Sequence, residues 1–297
     1  MREFNSTWVK NCIFIKSMKM VVLGLVLLTL FSAVLALVHQ AELDRRRGKR
    51  VVRPSYYYRT FNPFLSVYNN YLARHSRDTT AFPNKTREFP GCTKVEAQWE
   101  VIRDEALNAY HAGHASAIRN DMFFTNIVKT DKWKRFYIKW YTDTVDPATQ
   151  LQCPHTAKLV QSMPEVKLAM FSIMEPGTVV SEHRGPFRGA WRYHLGLDVP
   201  EEDDKCYIVV DDKRYGWRNG EGVLFDDTFL HRVENRSDRV RIILFMDIER
   251  QLDSKTATRI NRWFCKHVAP LTARGNDKLE ATHSSKVAEE GKKMKNE

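Results

Sequence analysis

The sequence predicts a mainly β protein, a double-stranded β-helix (jelly roll) with flanking helices and an N-terminal transmembrane helix. The first observation is a change of hydrophobic period at Pro164, after which apolar residues alternate with other residues in short segments separated by Gly, Asp and Pro. Several short strands at this spacing are typical of a sandwich or barrel, and a jelly roll satisfies the pattern. The segments are VKLAMFSIM, WRYHLGLDV, CYIVV, GVLFDD and RVRIILFMDI.

The second observation is helical periodicity on both sides of the strand region. A second, short helix is predicted over residues 155–162, ending before Pro164, and Ser254 is placed to cap a final helix. Before these, from about residue 93, apolar residues recur at steps of three or four and predict one buried helix face. They are Val95, Trp99, Ile102, Ala106 and Tyr110.

The third observation is the uncharged run MVVLGLVLLTLFSAVLALV at residues 20–38, close to the roughly 20 residues that cross a bilayer as a helix. It is longer than the apolar core of a signal peptide, which favours an uncleaved, single-pass anchor over a cleaved signal. The basic cluster at residues 45–53 is denser than the basic residues before the run. By the positive-inside rule this favours a cytoplasmic catalytic domain, with a secretory-pathway lumen as the alternative.

Composition narrows the class of protein. The chain has 297 residues, 43% of them hydrophobic, which is enough for a substantial core. Its net charge of +11 indicates anionic surroundings, and the charge alone does not choose among nucleic acid, a phospholipid headgroup layer and a phosphorylated substrate. Its five cysteines are scattered without a CxxC pair, so reduced cysteines are expected rather than a zinc or disulfide framework. The sequence has no phosphate-binding glycine loop, nucleophile elbow or RNA-binding aromatic signature, and we expect no nucleic-acid partner.

Titratable residues gather on the predicted strands and strand ends. Cations directed into a sheet interior cost several kcal/mol each unless they are paired, and an anionic ligand would resolve that cost. Arginines can pair with both ends of a small dicarboxylate, and neutral imidazoles can bind a divalent transition metal. Structural histidines remain an equal alternative at this point. The residues concerned are His183, Arg192, His194, His231 and Arg241.

Three motifs resemble the aspartyl/asparaginyl β-hydroxylase family of iron(II)- and 2-oxoglutarate-dependent oxygenases, and within it most of all the bacterial lipid A 2-hydroxylases. They are HRGPFRGAWRYHLGL, YGWRNGEGVLFDDTFLHRVEN and RVRIILFMDIER. The resemblance extends upstream through WEVIRDEALNAY, WKRFYIKWY and MPEVKLAMF and downstream into RINRWF. The chain is therefore divided into an N-terminal segment (1–19), the anchor (20–38), a basic linker and membrane-proximal region (39–89), the oxygenase domain (90–268) and a disordered tail (269–297).

The resemblance implies roles for particular residues. It makes His183 and His231 the iron ligands. It places Arg192 and His194 near the metal-chelating end of the cosubstrate 2-oxoglutarate. It assigns Ser172 and Arg241 to the distal carboxylate of 2-oxoglutarate. A structural role is expected for the shared motif that contains Trp133, Lys134, Arg135 and Tyr137.

The implied activity is that of a membrane-anchored dioxygenase that uses O2, converts 2-oxoglutarate to succinate and hydroxylates an unactivated carbon. The expected substrate is an acyl chain of lipid A or a similar glycolipid. Two alternatives stay open, which are hydroxylation of Asp or Asn side chains in proteins and a catalytically silent jelly-roll binding protein.

Gly185 departs from the lipid hydroxylase pattern, which has His-x-Asp where this chain has His183-Arg184-Gly185. Aspartyl β-hydroxylases also have glycine there, so the departure does not imply a dead enzyme. Loss of a carboxylate predicts weaker iron retention and predicts that Gly185→Asp tightens iron binding. Glu182, Asp226 and Asp227 are candidates to replace the missing carboxylate through a water molecule. On a strand, however, the Glu182 side chain should face away from His183.

Overall fold

The computed structural model describes residues 31–32, 63–117, 130–145, 147–202 and 204–269. The described residues up to Asn70 belong to one compact unit, and those from Tyr71 onward belong to a second. Among the described residues, no helix is both long and apolar enough to span a membrane. Apart from residues 31–32, the predicted anchor lies outside the described residues, as do the N-terminal segment, the linker up to residue 62 and the tail from residue 270.

Strands dominate the second unit. Their bounds are β1 Ser116–Ala117, β2 Trp133–Trp140, β3 Val166–Met174, β4 Thr178–His183, β5 Ala190–Asp198, β6 Cys206–Val210, β7 Lys213–Gly216, β8 Gly222–Phe225, β9 His231–Asn235 and β10 Arg241–Glu249. In the described part of the chain they form a major sheet of order β1-β2-β3-β10-β5-β8 and a minor sheet of order β4-β9-β6-β7. Neighbouring strands in both sheets run antiparallel.

The strand order is that of a jelly roll. From β3 to β10 the chain passes back and forth between two four-stranded sheets, β3-β10-β5-β8 and β4-β9-β6-β7. The strands β1 and β2 extend the major sheet beyond β3. The prediction of a mainly β, jelly-roll domain is therefore confirmed for the described residues.

Helices flank the sheets. Their bounds are α1 Pro63–His75, α2 Lys85–Glu88, α3 Cys92–Glu96, α4 Trp99–His111, α5 Pro147–Gln152, α6 Pro154–Gln161 and α7 Lys255–His267. The helix face predicted from residue 93 is divided between α3 and α4, which are separated at Ala97 and Gln98. Ser254 caps α7 as predicted, since its hydroxyl accepts a hydrogen bond from the Ala257 N–H at 3.3 Å.

Two hydrophobic layers follow from the alternation of side chains along the major sheet. On one face, Phe171, Trp191 and Leu244 pack with the helices α3, α4 and α6. On the other face, residues such as Met170 and Phe245 pack against the minor sheet. The second layer is the space between the two sheets, and it contains the polar residues described below.

The barrel also uses residues that precede the predicted domain boundary at residue 90. Ala81 is 2% exposed and its carbonyl accepts the Asp226 N–H at 2.9 Å, while Phe89 is fully buried against Tyr193. The second compact unit therefore takes in residues 71–89, which the sequence pattern placed in the membrane-proximal region. The four cysteines within the described residues are free and buried.

Candidate functional site

The predicted site residues come together between the two sheets. On the major sheet, Ser172, Arg192, His194 and Arg241 alternate with residues of the outer hydrophobic layer, so their side chains share the inner face. The strand register places His194 opposite Phe245 and Ser172 opposite Ile243. The minor sheet supplies His183 at the end of β4 and His231 at the start of β9. Five of the six residues predicted from sequence are buried, and Arg192 is partly buried, with 16% of its side chain exposed.

His183 and His231 form a close pair. They are register partners across β4 and β9, and their ring centroids lie 4.1 Å apart. The Nδ1 atom of each ring lies beside a backbone carbonyl oxygen two residues earlier, at 2.7 Å from Ser181 and 2.9 Å from Phe229. A carbonyl can only accept, so each Nδ1 carries the proton and each Nε2 keeps its lone pair. This arrangement orients a histidine for metal binding through Nε2.

Both rings are held in the neutral form that binds metals. Burial lowers the pKa of His183 to about 4, although the hydrogen bond to Ser181 opposes the shift. Burial, and after it the neighbouring His183, lowers the pKa of His231 well below its usual value. Among the described residues, no group of three or more His, Cys, Asp or Glu side chains could hold a metal ion. The histidine pair is therefore a two-ligand candidate centre, and its donor set suits iron(II).

Arg241 provides a buried positive charge without an acidic partner in the described part of the chain. Its guanidinium lies 3.4 Å from the Ser172 carbonyl oxygen and 3.5 Å from the Ser172 hydroxyl, contacts the Met174 sulfur and stacks over Trp217 at 4.6 Å. Its Nε has no hydrogen-bond partner. Burial lowers the pKa of Arg241 to about 10, so the side chain stays charged at neutral pH. A carboxylate placed here would gain a cation and a hydroxyl.

His194 is the second unsatisfied polar group between the sheets. It is 4% exposed, and neither ring nitrogen has a hydrogen-bond partner. Burial, followed by the charges of Arg241 and Arg192, lowers its pKa well below the usual value. The ring lies among Trp217, Phe225 and Phe245. A neutral imidazole and an unpaired guanidinium in one buried space fit an anionic ligand with several oxygens, such as 2-oxoglutarate.

Trp133 gains a specific role from the structure. Its indole N–H donates a hydrogen bond of 2.9 Å to the Ser172 hydroxyl. The hydroxyl is thereby oriented beside Arg241. Trp133, from the motif for which a structural role was expected, therefore supports the candidate carboxylate site. Within that motif Trp133 begins β2, which extends the major sheet next to β3.

Arg192 is held between two carboxylates, unlike Arg241. Its Nε donates to Asp247 at 2.9 Å, and a terminal nitrogen lies 3.1 Å from Asp227. Asp247 also accepts from the Tyr141 hydroxyl at 3.0 Å. Burial acts to lower the pKa of Arg192, but Asp227 and Asp247 outweigh it and raise the pKa above the usual value. The sequence reading missed Asp247, although strand alternation from Arg241 places it on the inner face.

Asp227 fills the space that Gly185 leaves open. A Cβ atom on Gly185 would lie 2.0 Å from a carboxylate oxygen of Asp227 and 2.2 Å from its Cγ. The Gly185 N–H also donates to the Asp227 carbonyl at 2.7 Å, which fixes the two backbones together. Burial raises the pKa of Asp227 to about 7, although Arg192 opposes the shift. The Asp227 carboxylate, from the segment after β8, thus occupies the space that a side chain at position 185 would need.

The other two nearby carboxylates have different surroundings. Asp226 is fully buried between Arg250, at 2.7 Å, and Arg188, at 3.1 Å. Glu182 is half exposed, and its nearest cation is Arg232 at 3.9 Å. The expectation that Glu182 faces away from His183 agrees with this exposure. Of the three carboxylates considered from the sequence, Asp227 is the one that lies next to Gly185.

The three buried histidines should make the metal-free protein sensitive to acid. An unfolded histidine titrates near pH 6.5, whereas folding lowers the pKa of His183 to about 4 and those of His194 and His231 well below 6.5. The unfolded chain therefore binds protons that the folded chain excludes. We expect the free energy of unfolding to fall as the pH drops below 6.5, by up to about 1.4 kcal/mol per histidine and pH unit.

Urea unfolding in chelator at about pH 7.5 and about pH 5 measures this effect. Asp227 acts in the opposite sense, because its raised pKa favours folding in acid, but it is one group against three. His194→Gln should reduce the loss of stability between the two pH values. An equal loss in the variant and the parent chain would contradict a buried, neutral His194.

Comparisons with known proteins indicate the family of the chain. Residues 96–251 match the sequence profile of a family described as aspartyl/asparaginyl beta-hydroxylase. The chain is 33% identical over 189 residues to an ornithine lipid ester-linked acyl 2-hydroxylase of Rhizobium tropici, covering 63% of this chain and 66% of that protein. It is 30% identical over 171 residues to the human aspartyl/asparaginyl beta-hydroxylase, covering 56% of this chain and 22% of that protein.

Among solved structures, a prolyl-4-hydroxylase of Pseudomonas putida aligns with a TM-score of 0.34 at 16% identity, covering 63% of this chain and 99% of the other. The chain thus spans just under two thirds of the rhizobial relative and about a fifth of the human one. The matched segment contains all six predicted site residues. These two relatives are named as hydroxylases, in agreement with the resemblance seen in the sequence. The chain belongs to the aspartyl/asparaginyl β-hydroxylase family.

Proposed function

We propose that this protein is an iron(II)- and 2-oxoglutarate-dependent hydroxylase that acts on an acyl chain of a polar membrane lipid. The observation that carries the proposal is that the space between the two sheets contains both a neutral histidine pair and a buried arginine without an acidic partner among the described residues. Its two parts match the two requirements of the chemistry. The pair provides metal ligands, and the arginine provides a counter-charge for a dicarboxylate.

Each residue has a defined task in this proposal. His183 and His231 would hold iron, and Arg241 with Ser172 would hold the distal carboxylate of 2-oxoglutarate. His194 and Arg192 would lie toward the other end of the cosubstrate. When bound, iron, 2-oxoglutarate and O2 supply the oxidising power that places a hydroxyl group on an unactivated carbon, with release of succinate and carbon dioxide.

The protein itself contributes charge and position. Asp227 and Asp247 hold the Arg192 guanidinium from two sides, so its orientation is fixed before a ligand arrives. Trp133 orients the Ser172 hydroxyl in the same way. The groups that hold Arg192 and Ser172 in place are buried, and the low local polarity strengthens interactions with an anionic ligand.

A lipid substrate is favoured by three observations. The rhizobial relative is named for hydroxylation of the ester-linked acyl chain of ornithine lipid. The net charge of +11 suits an anionic headgroup, and the apolar run at residues 20–38 predicts a membrane anchor. Lipid A and ornithine lipid share the feature that matters here, an acyl chain close to a polar headgroup. We propose this shared class as the substrate.

The test is succinate formation by the full chain. The protein is loaded with iron(II) and 2-oxoglutarate without oxygen, oxygen is admitted, and succinate is measured. We expect succinate from the parent chain and almost none from His231→Ala. The matched control is His155→Ala, which removes a histidine bonded to Gln98 outside the site and should leave succinate formation unchanged. Equal succinate from the parent chain and His231→Ala would contradict the proposal.

A second candidate is hydroxylation of Asp or Asn side chains in proteins. Gly185 supports it, because aspartyl β-hydroxylases resemble this chain at that position, and the human relative is 30% identical. Mass spectrometry separates the two candidates. Lipid extracts gain the mass of one oxygen atom under the first candidate, and peptides gain it under the second. Bound iron and 2-oxoglutarate without succinate, whatever substrate is added, would favour a silent binding protein.

A further inference from the structure

Helix α7 has one face that packs on the barrel and one that has no cover in the described structure. Ala257, Asn261 and Cys265 follow one another at four-residue steps and are at most 2% exposed. On the other side, Ile260 is 42% exposed and Trp263 is 59% exposed. Among the described residues, α7 alone carries two exposed large apolar side chains one turn apart.

The exposed face is basic as well as apolar. The sequence of α7, KTATRINRWFCKH, contains four lysine and arginine residues and no acidic residue. Two of these cations bind acids of the barrel: Arg262 lies 2.6 Å from Glu249, and Lys266 lies 2.9 Å from Asp143. The other two, Lys255 and Arg259, are exposed and have no acidic partner in the described part of the chain. Both precede Ile260 and Trp263 along the helix, in its first two turns.

We propose that the face formed by Lys255, Arg259, Ile260 and Trp263 docks onto a membrane surface that contains anionic phospholipid. Tryptophan favours the boundary between headgroups and acyl chains, and lysine and arginine are attracted to anionic headgroups. A helix with such a face lies parallel to the membrane with its apolar side chains inserted at that boundary. The free cations provide the charge complementarity that selects an anionic lipid surface as the occupant.

The opposite side of α7 packs on the loop that follows His183, so the docked face and this loop would be separated only by the helix itself. Asn261 donates a hydrogen bond of 2.8 Å to the Gly189 carbonyl, and Phe264 stacks on Phe187 at 4.9 Å. Both partners lie in the segment 184–189 that joins β4 to β5. Docking through α7 would therefore hold this loop near the lipid surface. The proposal concerns binding alone and does not depend on iron or on turnover.

The experiment uses the full chain with vesicles of phosphatidylcholine, alone or mixed with phosphatidylglycerol, whose acyl chains carry bromine that quenches tryptophan fluorescence. Subtracting the signal of Trp263→Phe from that of the parent chain isolates Trp263. We expect Trp263 to be quenched more strongly in the anionic vesicles. The predicted anchor at residues 20–38 contains no tryptophan, and every other tryptophan is common to the two proteins, so the subtraction removes their contribution.

Charge variants test the proposed face. Arg259→Gln should lower the preference for anionic over neutral vesicles about fivefold, the usual contribution of one cation at a lipid surface. The matched control is Lys213→Gln, which removes the same charge from an exposed position on β7 and should leave the preference unchanged. An equal loss in both variants would mean that net charge alone attracts the protein, and would overturn the proposal.

Two further results would also overturn it. One is the absence of Trp263 quenching in either type of vesicle. The other is a change of oligomeric state in Trp263→Ser without any change in lipid binding, which would identify a second copy of the chain as the occupant. His231→Ala should dock like the parent chain, so a failure of docking and a failure of the proposed hydroxylase activity can be told apart.

Discussion

Replacing Arg241 with methionine is expected to stabilise the ligand-free protein while weakening 2-oxoglutarate binding about 100-fold. Arg241 is 2% exposed, has no acidic partner among the described residues, and contacts neutral groups of Ser172, Met174 and Trp217. A buried charge without a partner costs free energy in the empty protein, and methionine removes that cost while keeping most of the packing. The same change removes the counter-charge for the distal carboxylate of the cosubstrate.

Arg250→Met is the matched control. Arg250 is fully buried and stacks over Trp191 at 3.3 Å, but it lies 2.7 Å from Asp226. Its removal leaves Asp226 with Arg188 as its remaining cation, so we expect a loss of about 3 kcal/mol in the free energy of unfolding. Thermal unfolding and calorimetric titration with 2-oxoglutarate measure both quantities. If Arg241→Met lost stability as Arg250→Met does and kept its 2-oxoglutarate affinity, Arg241 would be a structural cation.

Much of the fold was predictable because short apolar segments bounded by Gly, Asp and Pro are typical of buried strands, and β3 and β6 are buried along nearly their whole length. The segments VKLAMFSIM and CYIVV correspond residue by residue to β3 and β6. In contrast, β2 was not recognised as a strand, since WKRFYIKW mixes three cations with its aromatic residues and its buried positions do not alternate regularly. A strand of this kind depends on its partner β3 for its position.

The residues of the candidate site could be predicted from the sequence, but the ion pairs among them could not. Alternation places Arg192 and Arg241 on the inner face, yet it does not say that Arg192 binds two carboxylates and that Arg241 binds none of those in the described segments. That difference depends on the segment after β8, whose path brings Asp227 to Gly185. Gly185 and Asp227 are 42 residues apart in the sequence, and a contact over that separation leaves no local sequence pattern.

From sequence alone, Gly185→Asp is expected to tighten iron binding. With Asp227 in place, the single substitution is instead expected to lower the free energy of unfolding by about 3 kcal/mol and to leave iron binding no tighter. The new Cβ would lie 2.0 Å from an Asp227 oxygen, so two buried carboxylates would compete for one space. The glycine is required here for room, since only a residue without a side chain leaves space for Asp227.

The double variant Gly185→Asp with Asp227→Ala separates the two effects. Asp227→Ala alone should weaken iron binding about tenfold, as loss of a group that supports a metal site does. Arg192 keeps Asp247 at 2.9 Å, so this variant leaves no unpaired cation behind. Adding Gly185→Asp to Asp227→Ala places one carboxylate two residues after His183, and we expect iron to bind more tightly than in Asp227→Ala.

Iron dissociation constants and unfolding midpoints of the four proteins form a double-mutant cycle, in which the coupling between the two positions is read directly. Strong coupling is expected, because each position determines whether the other can hold a carboxylate. If Gly185→Asp alone folded like the parent chain and bound iron more tightly, Asp227 would not occupy this space in solution. The carboxylate next to the histidine pair would then be supplied by position 185, in the loop that follows His183, and the contribution of Asp227 would be limited to its pair with Arg192.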